Sequence, residues 1–218
     1  MNRKAARHAE AERNDEALLA AAKKVLALEG RHASVAMIAK RAGVGIASLY
    51  RRYRTKDELF QYLCELSLQE WVSAAEAGLA SSDPWEGFAD YIRAVIAFGG
   101  GSLGPIAGTI SITDEMASRF TRLDELVGVL VDRCHRAGVL RDDVTKVDIA
   151  LLLEQFGKWS LVDQFEALGR DDWLEDARNA RDRLIAIALD GLRVGPERLP
   201  HSAPANDLLT RRWSDPTG

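Results

Sequence analysis

Between Ser34 and Phe60 the chain spells out a helix, a glycine turn, a second short helix and a capped third helix. No other stretch limits the fold as tightly. Ser34 is a helix N-cap residue, its hydroxyl suited to accept from an unpaired backbone N–H. Val35, Ile38, Ala39 and Ala42 then recur at helical spacing and give one apolar face. Gly43 follows, and glycine is the residue that takes the left-handed helix-ending conformation at least cost. Val44 is placed to plug the turn. Beyond Gly45, the residues Ile46, Leu49, Tyr50 and Tyr53 lie three or four apart, so some must pack inward while Ala47, Ser48, Arg51 and Arg52 face out. Thr55-Lys-Asp-Glu58 has the form of a capping box and opens the next helix. Two helices on a short glycine turn, the second ending in a cationic and aromatic cluster, have the form of a major-groove reader.

The charge distribution agrees. The net charge is −4, but residues 1–60 hold 13 Lys and Arg against 7 Asp and Glu, and the remainder holds 16 against 26. A basic head on an acidic body implies that the head alone meets a polyanion. Hydrophobic content of 47% and charged content of 28% are those of an ordinary globular protein.

The rest of the chain reads as helix throughout, and about nine helices are expected. Residues 1–13 carry four Arg or Lys and read as a flexible basic arm. A helix begins near Asn14 or Asp15, buries Leu18, Ala22, Val25 and Leu26, and ends at Gly30. Thr55 opens a long helix to about Ala77 with Leu59, Leu63 and Leu66 inward. Asp83, Pro84 and Glu86 start another that fails at Gly99. Residues 94–113 carry no charge, but glycines and Pro105 interrupt them, so they do not read as a membrane span. Thr113 starts a helix carrying Met116, Phe120, Leu123, Val127, Leu130 and Cys134 and stopped at Gly138. Thr145 caps one running through Phe156 and Trp159 to about Leu168. Asp171 or Asp172 begins the last, with Leu184, Ile187, Ala188 and Leu192. The prolines at 196, 200, 204 and 216 mark residues 196–218 as a disordered tail. No strand-type alternation or internal repeat is visible. The fold class is therefore all-α.

The run Ile38-Ala-Lys-Arg-Ala-Gly-Val44, then Ser48-Leu-Tyr50, Tyr53 and Lys56-Asp-Glu-Leu59, resembles the N-terminal domain of tetracycline-repressor-type (TetR family) transcriptional regulators. Several spaced elements match in order. One departure is that the family usually has a polar residue at the position of Gly45, and often glycine at that of Ala47. The resemblance implies a helix-turn-helix domain over residues 14–60 and a helical ligand-binding and dimerisation domain over 61–195. It also implies a homodimeric regulator, a ligand-relieved repressor in the simplest case, acting on a palindromic operator.

Phosphate contact is expected from Tyr50, Arg51, Arg52, Tyr53 and Lys56, with Tyr50 and Lys56 the pair that the resemblance singles out. Base readout falls to Gly45, Ile46, Ala47 and Ser48, where apolar Ile46 and Ala47 suit thymine methyls. Ser34 completes the DNA-facing set. The body aromatics read from spacing alone as ordinary core. The resemblance implies instead that Trp71, Trp85, Phe88, Tyr91, Phe98, Met116, Phe120, Phe156 and Trp159 hold a small apolar or aromatic effector. The last two long helices carry more apolar residues than one buried stripe needs, which nominates Leu184, Ile187 and Ala188 for a dimer interface.

No enzyme is expected. Cys134 and His135 are adjacent on a helix and point about 100° apart, a poor metal pair. No nucleophile elbow, zinc signature or carboxylate dyad is present. The glycines at 99–104 are not followed by Lys-Ser/Thr, so they do not form a phosphate cradle. No cofactor or metal is implied. Cys64 and Cys134 read as buried thiols, and the first residues show no secretory signal, so a cytoplasmic, nucleoid-associated protein is expected. The alternative is a helical dimerising adaptor or ligand-binding protein without specific DNA binding, and the discriminator is whether the basic head binds duplex DNA with steep salt dependence.

Overall fold

The computed structural model describes residues 15, 17–26, 28, 29, 32–100, 103–158, 160–195, 197–209 and 211. The basic arm, the stop at Gly30, Trp159, Pro196 and Pro216 lie outside the described residues. The elements are α1 (residues 17–26), α2 (Val35–Ala42), α3 (Ile46–Arg52), α4 (Lys56–Ala80) and α5 (Pro84–Ala97). After a 3₁₀ turn at Gly104–Ile106 come α6 (Asp114–Arg136), α7 (Lys146–Phe156), α8 (Leu161–Ala167) and α9 (Leu174–Leu192). No strand occurs among the described residues, and none of their helices is long and apolar enough to cross a membrane.

Side chains start most of these helices. Ser34 accepts from Met37 N–H at 3.2 Å, Thr55 from Glu58 N–H at 3.0 Å and Asp83 from Glu86 N–H at 3.0 Å. Thr113 accepts from Met116 N–H at 3.1 Å. Thr145 and Asp148 form a reciprocal capping box. Each such cap is worth about 1 kcal/mol against alanine.

Helices α1, α2 and α3 make the head with the start of α4. Helix α4 has 25 residues, so it extends about 36 Å from the head through the body. It packs mainly on α5 and α6. Gly78 and Gly87 let α4 and α5 touch backbone to backbone: a Cβ on Gly87 would sit 2.2 Å from the Gly78 carbonyl oxygen. Any side chain there would force the helices apart. One buried core runs through head and body, from Leu26 and Ile38 to Phe60, Phe88, Leu130 and Ile149.

Three expectations need correction. The helix expected from Thr145 to Leu168 is two helices. Gly157 closes α7, and Ser160 begins α8 with a second capping box, Ser160 N–H to Asp163 at 3.0 Å and Asp163 N–H to Ser160 Oγ at 3.2 Å. A strong start signal thus lay inside the expected helix. The last helix starts at Leu174, after a 3₁₀ turn over Asp171–Trp173. The tail, expected to be disordered, is tied down at its start, residues 197–199. Leu199 N–H donates to Asp143 at 2.6 Å, Arg141 donates to the Glu197 carbonyl, and Arg198 pairs with Asp142 and Asp143. Composition marked its prolines and missed these acceptors.

Candidate nucleic-acid interface and body cavity

The head builds its outer face by subtraction. Gly43 takes φ +69°, and the N–H of Val44 bonds back to Ala39 at 3.0 Å, so the chain reverses tightly. Helix α3 has seven residues and no side-chain cap, because Gly45 offers none. Only Leu49 on α3 is buried, together with Tyr53 just after it. That pair faces the core at i, i+4 and turns Ile46, Ala47, Ser48, Tyr50 and Arg51 to solvent. Of the four aromatic and aliphatic residues expected to share the packing, Leu49 and Tyr53 go in, while Ile46 and Tyr50 stay out.

Tyr53 departs from its expected place at a phosphate. Its hydroxyl is fully enclosed without a hydrogen-bond partner, and burial drives the phenol well above its ordinary pKa. Arg52 is already held. Its guanidinium meets both carboxylate oxygens of Asp15 at 2.6 and 3.1 Å and the Tyr62 hydroxyl at 3.0 Å. The Tyr53 and Tyr62 rings lie 5.2 and 5.0 Å from it. Burial of Asp15 opposes its ionisation, but the bonds from Arg52 and Tyr62 outweigh that and the carboxyl lies below its ordinary value. Arg52 is thus a clasp joining Asp15 at the head of the chain, α3 and α4. Ser34 spends its oxygen on capping α2. Lys56 lies at the first turn of α4 with its ammonium 5.1 Å from the Phe60 ring centre.

The body holds a cavity of about 490 Å³ between α4, α5, α6 and α7. Cys64, Ser67, Leu68 and Trp71 line it from α4, at the i, i+3, i+4, i+7 spacing of one helix face. Tyr91 and Val95 enter from α5, Met116 and Phe120 from α6, Leu153 and Glu154 from α7, and Leu209 from the tail. Of the nine residues expected to hold a ligand, Trp71, Tyr91, Met116 and Phe120 are in its wall. Trp85 and Phe88 are core instead, their rings 5.8 Å apart and the Arg193 guanidinium 4.1 Å above Trp85. Phe98 is exposed at the end of α5, and Phe156 lines a separate groove with Leu161, Ala177 and Leu184.

A family profile described as bacterial regulatory proteins, TetR family, matches residues 18–63. A second, described as the C-terminal domain of SbtR-like transcriptional regulators, matches residues 83–194, just over half of the chain. The chain belongs to the TetR family. It is accordingly a transcriptional regulator whose head is a DNA-binding helix-turn-helix domain.

No curated protein matches it. Solved structures do. The TetR regulator SCO0520 of Streptomyces coelicolor is 24% identical, covering 82% of this chain and 98% of its own, with a TM-score of 0.52. A TetR regulatory protein of Mycobacterium vanbaalenii is 25% identical, over 86% of this chain and 99% of its own, at 0.51. LfrR of Mycobacterium smegmatis, solved in complex with proflavine, is 21% identical over 86% and 99%, at 0.52.

In this TetR-family chain, α8, α9 and the link between them leave apolar side chains uncovered. Leu161, Leu168, Trp173, Leu184 and Ile187 are all exposed, Ile187 by 63% and Leu168 by 72%. Ala188, expected beside them, is half-buried. Sequence reasoning missed Ser67 and the residues by which α7 lines the cavity, Ala150, Leu153 and Glu154. A serine standing in the apolar stripe Cys64–Leu68–Trp71 was the available signal.

Proposed function

We propose that the protein is a homodimeric repressor that leaves a palindromic operator when a small, mainly apolar molecule enters its body. The observation carrying this reading is that one helix, α4, serves both regions. Its first turn belongs to the head and its middle walls the cavity. A ligand that favours one placement of α4 would alter the spacing of the two reading heads, provided it binds the operator-incompetent spacing more tightly. Phosphate contact falls to Tyr50, Arg51 and Lys56, and base contact to Ile46, Ala47 and Ser48, all exposed except half-buried Lys56. The uncovered apolar residues of α8 and α9 supply the face for a second copy, which would join four helices at the interface. LfrR, of the same fold, was solved in complex with proflavine. As a bacterial DNA-binding regulator the protein would work in the cytoplasm, on the nucleoid.

Selection of bound duplexes from random DNA, repeated with apolar metabolites, tests the reading. A palindrome with half-sites about one helical turn apart, released by a molecule of this kind, is expected. A selected site without two-fold symmetry would contradict it.

A further inference from the structure

The cavity wall carries more information than its size. Two polar atoms in it are buried and have no hydrogen-bond partner: Ser67 Oγ and Trp71 Nε1. They stand on one face of α4, one turn apart. Ser67 is fully enclosed. Leaving a buried donor unpaired costs about 1–3 kcal/mol, so a native protein has a use for such an atom. An indole N–H donates and cannot accept. Its missing partner is therefore an acceptor.

The other polar groups of the wall narrow the choice. Tyr91 lies across from α4, and burial holds its phenol above the ordinary range, so it remains a neutral O–H. Burial pushes the Cys64 thiol up to about 12, so it too is neutral. The Thr121 hydroxyl already donates to the Ala117 carbonyl at 3.0 Å. Among the described residues, no lysine, arginine or histidine lines the cavity, and the one charged side chain is Glu154, which already has an interaction of its own. A carboxylate or phosphate would enter this wall without a counter-ion, at a desolvation cost of several kcal/mol. A protonated amine could not pair with the indole N–H, which only donates, and would find its acceptors in the Ser67 and Tyr91 hydroxyls and in Glu154, which is already engaged.

We infer that the effector is an uncharged, ring-containing molecule whose polar end is a hydrogen-bond acceptor of carbonyl type, seated against Trp71 Nε1 and Ser67 Oγ. This rests on the cavity being the effector site and adds the chemical class and the two residues that select it. Trp71 determines specificity by requiring an acceptor, and Ser67 adds a second, more adaptable donor.

Four probes on one tricyclic frame test it: fluorene, 9-fluorenone, fluorene-9-carboxylate and protonated 9-aminofluorene. Calorimetric titration of the full-length dimer should show 9-fluorenone binding about tenfold tighter than fluorene, the worth of a well-made hydrogen bond, and at least tenfold tighter than the carboxylate. Trp71→Phe keeps the ring and removes the donor, so the preference for fluorenone over fluorene should fall to within about twofold; Ser67→Ala should reduce it less. Equal binding of fluorene and fluorenone, tightest binding by the carboxylate or the amine, or a preference undiminished in Trp71→Phe overturns the inference and leaves the cavity reading standing. Failure of all four to bind, or binding undiminished when Ala117→Trp fills the cavity, overturns the cavity reading itself.

Discussion

The reading face of the head and the cavity of the body treat polar groups in opposite ways. On the head, Tyr50, Arg51 and Ser48 stand in water, and the residues that could compete for them have been turned inward or paired off. Arg52 is the clearest case, held by Asp15 and Tyr62 instead of facing out freely. In the cavity the polar groups are few and, Glu154 apart, uncharged, in a wall otherwise made of Leu68, Val95, Met116 and Phe120. The head is fitted to a large polyanion whose affinity depends on salt. The cavity, in the proposed function, takes a small molecule that must leave water behind. Helix α4 is common to both, and the proposed regulation depends on that shared helix.

The contrast can be broken from either side. The largest effect is expected from Leu184→Glu with Ile187→Glu, which places charges on the uncovered face of α9. Sedimentation should show monomers, and operator affinity should fall by about a hundredfold or more, because two linked heads gain on that order over one. A charged variant that stays dimeric would move the interface elsewhere. Next is Lys56→Ala. Affinity should drop about tenfold for all duplexes alike, and the slope of log affinity against log salt should lessen by roughly one. An unchanged slope in a folded variant would remove Lys56 from the phosphate set. Replacing a contacted thymine by uracil should cost about 1 kcal/mol if Ile46 or Ala47 packs on its methyl. Absence of any uracil effect would leave Ser48 or DNA shape as the source of specificity.

The smallest expected effect concerns the clasp. The Asp15 carboxyl lies below its ordinary 3.8 in the folded protein. Its contribution is therefore present above that value and lost as the pH falls through the folded pKa. Asp15→Asn should lower the melting temperature slightly near neutrality and flatten its fall in acid. Since the Arg52 side chain is 46% exposed, the change at neutral pH should be no more than about 1 kcal/mol. An identical acid profile in Asp15→Asn would show that the pair contributes nothing to folding.

The head was legible because its signals are local. Ser34, Gly43 and Thr55 act within a turn or two of themselves and do in the structure what their chemistry implies, while Glu58 accepts from Arg54 N–H instead of closing the box on Thr55. Even there, spacing could not say which of Ile46, Leu49, Tyr50 and Tyr53 would pack inward, because that depends on how α3 lies on α2 and the rest of the head. The Arg52 clasp was invisible for the same reason: Asp15 is far away in sequence. The cavity is assembled from four helices and the tail, so composition supplied candidates but not the wall. Trp85 and Phe88 look no different in sequence from Tyr91, yet Trp85 is covered by Arg193 and Phe88 is fully buried in the core. The break between α7 and α8 was readable in principle, since Ser160 and Asp163 are a start signal that the surrounding apolar run concealed.

The claim that the cavity sets the spacing of the heads can be measured without the natural effector. A spin label at Ala20→Cys, on the exposed side of α1, marks each head of a dimer. Cys64 and Cys134 are buried and their thiols are pushed up to about 12 and about 11, so they should not react. The distance between labels by double electron–electron resonance is then compared with the cavity empty and saturated by the tightest of the fluorene probes. The account predicts a shifted distance distribution that Ala117→Trp abolishes. The same distribution in both states, with the probe shown to be bound in the cavity, would contradict it.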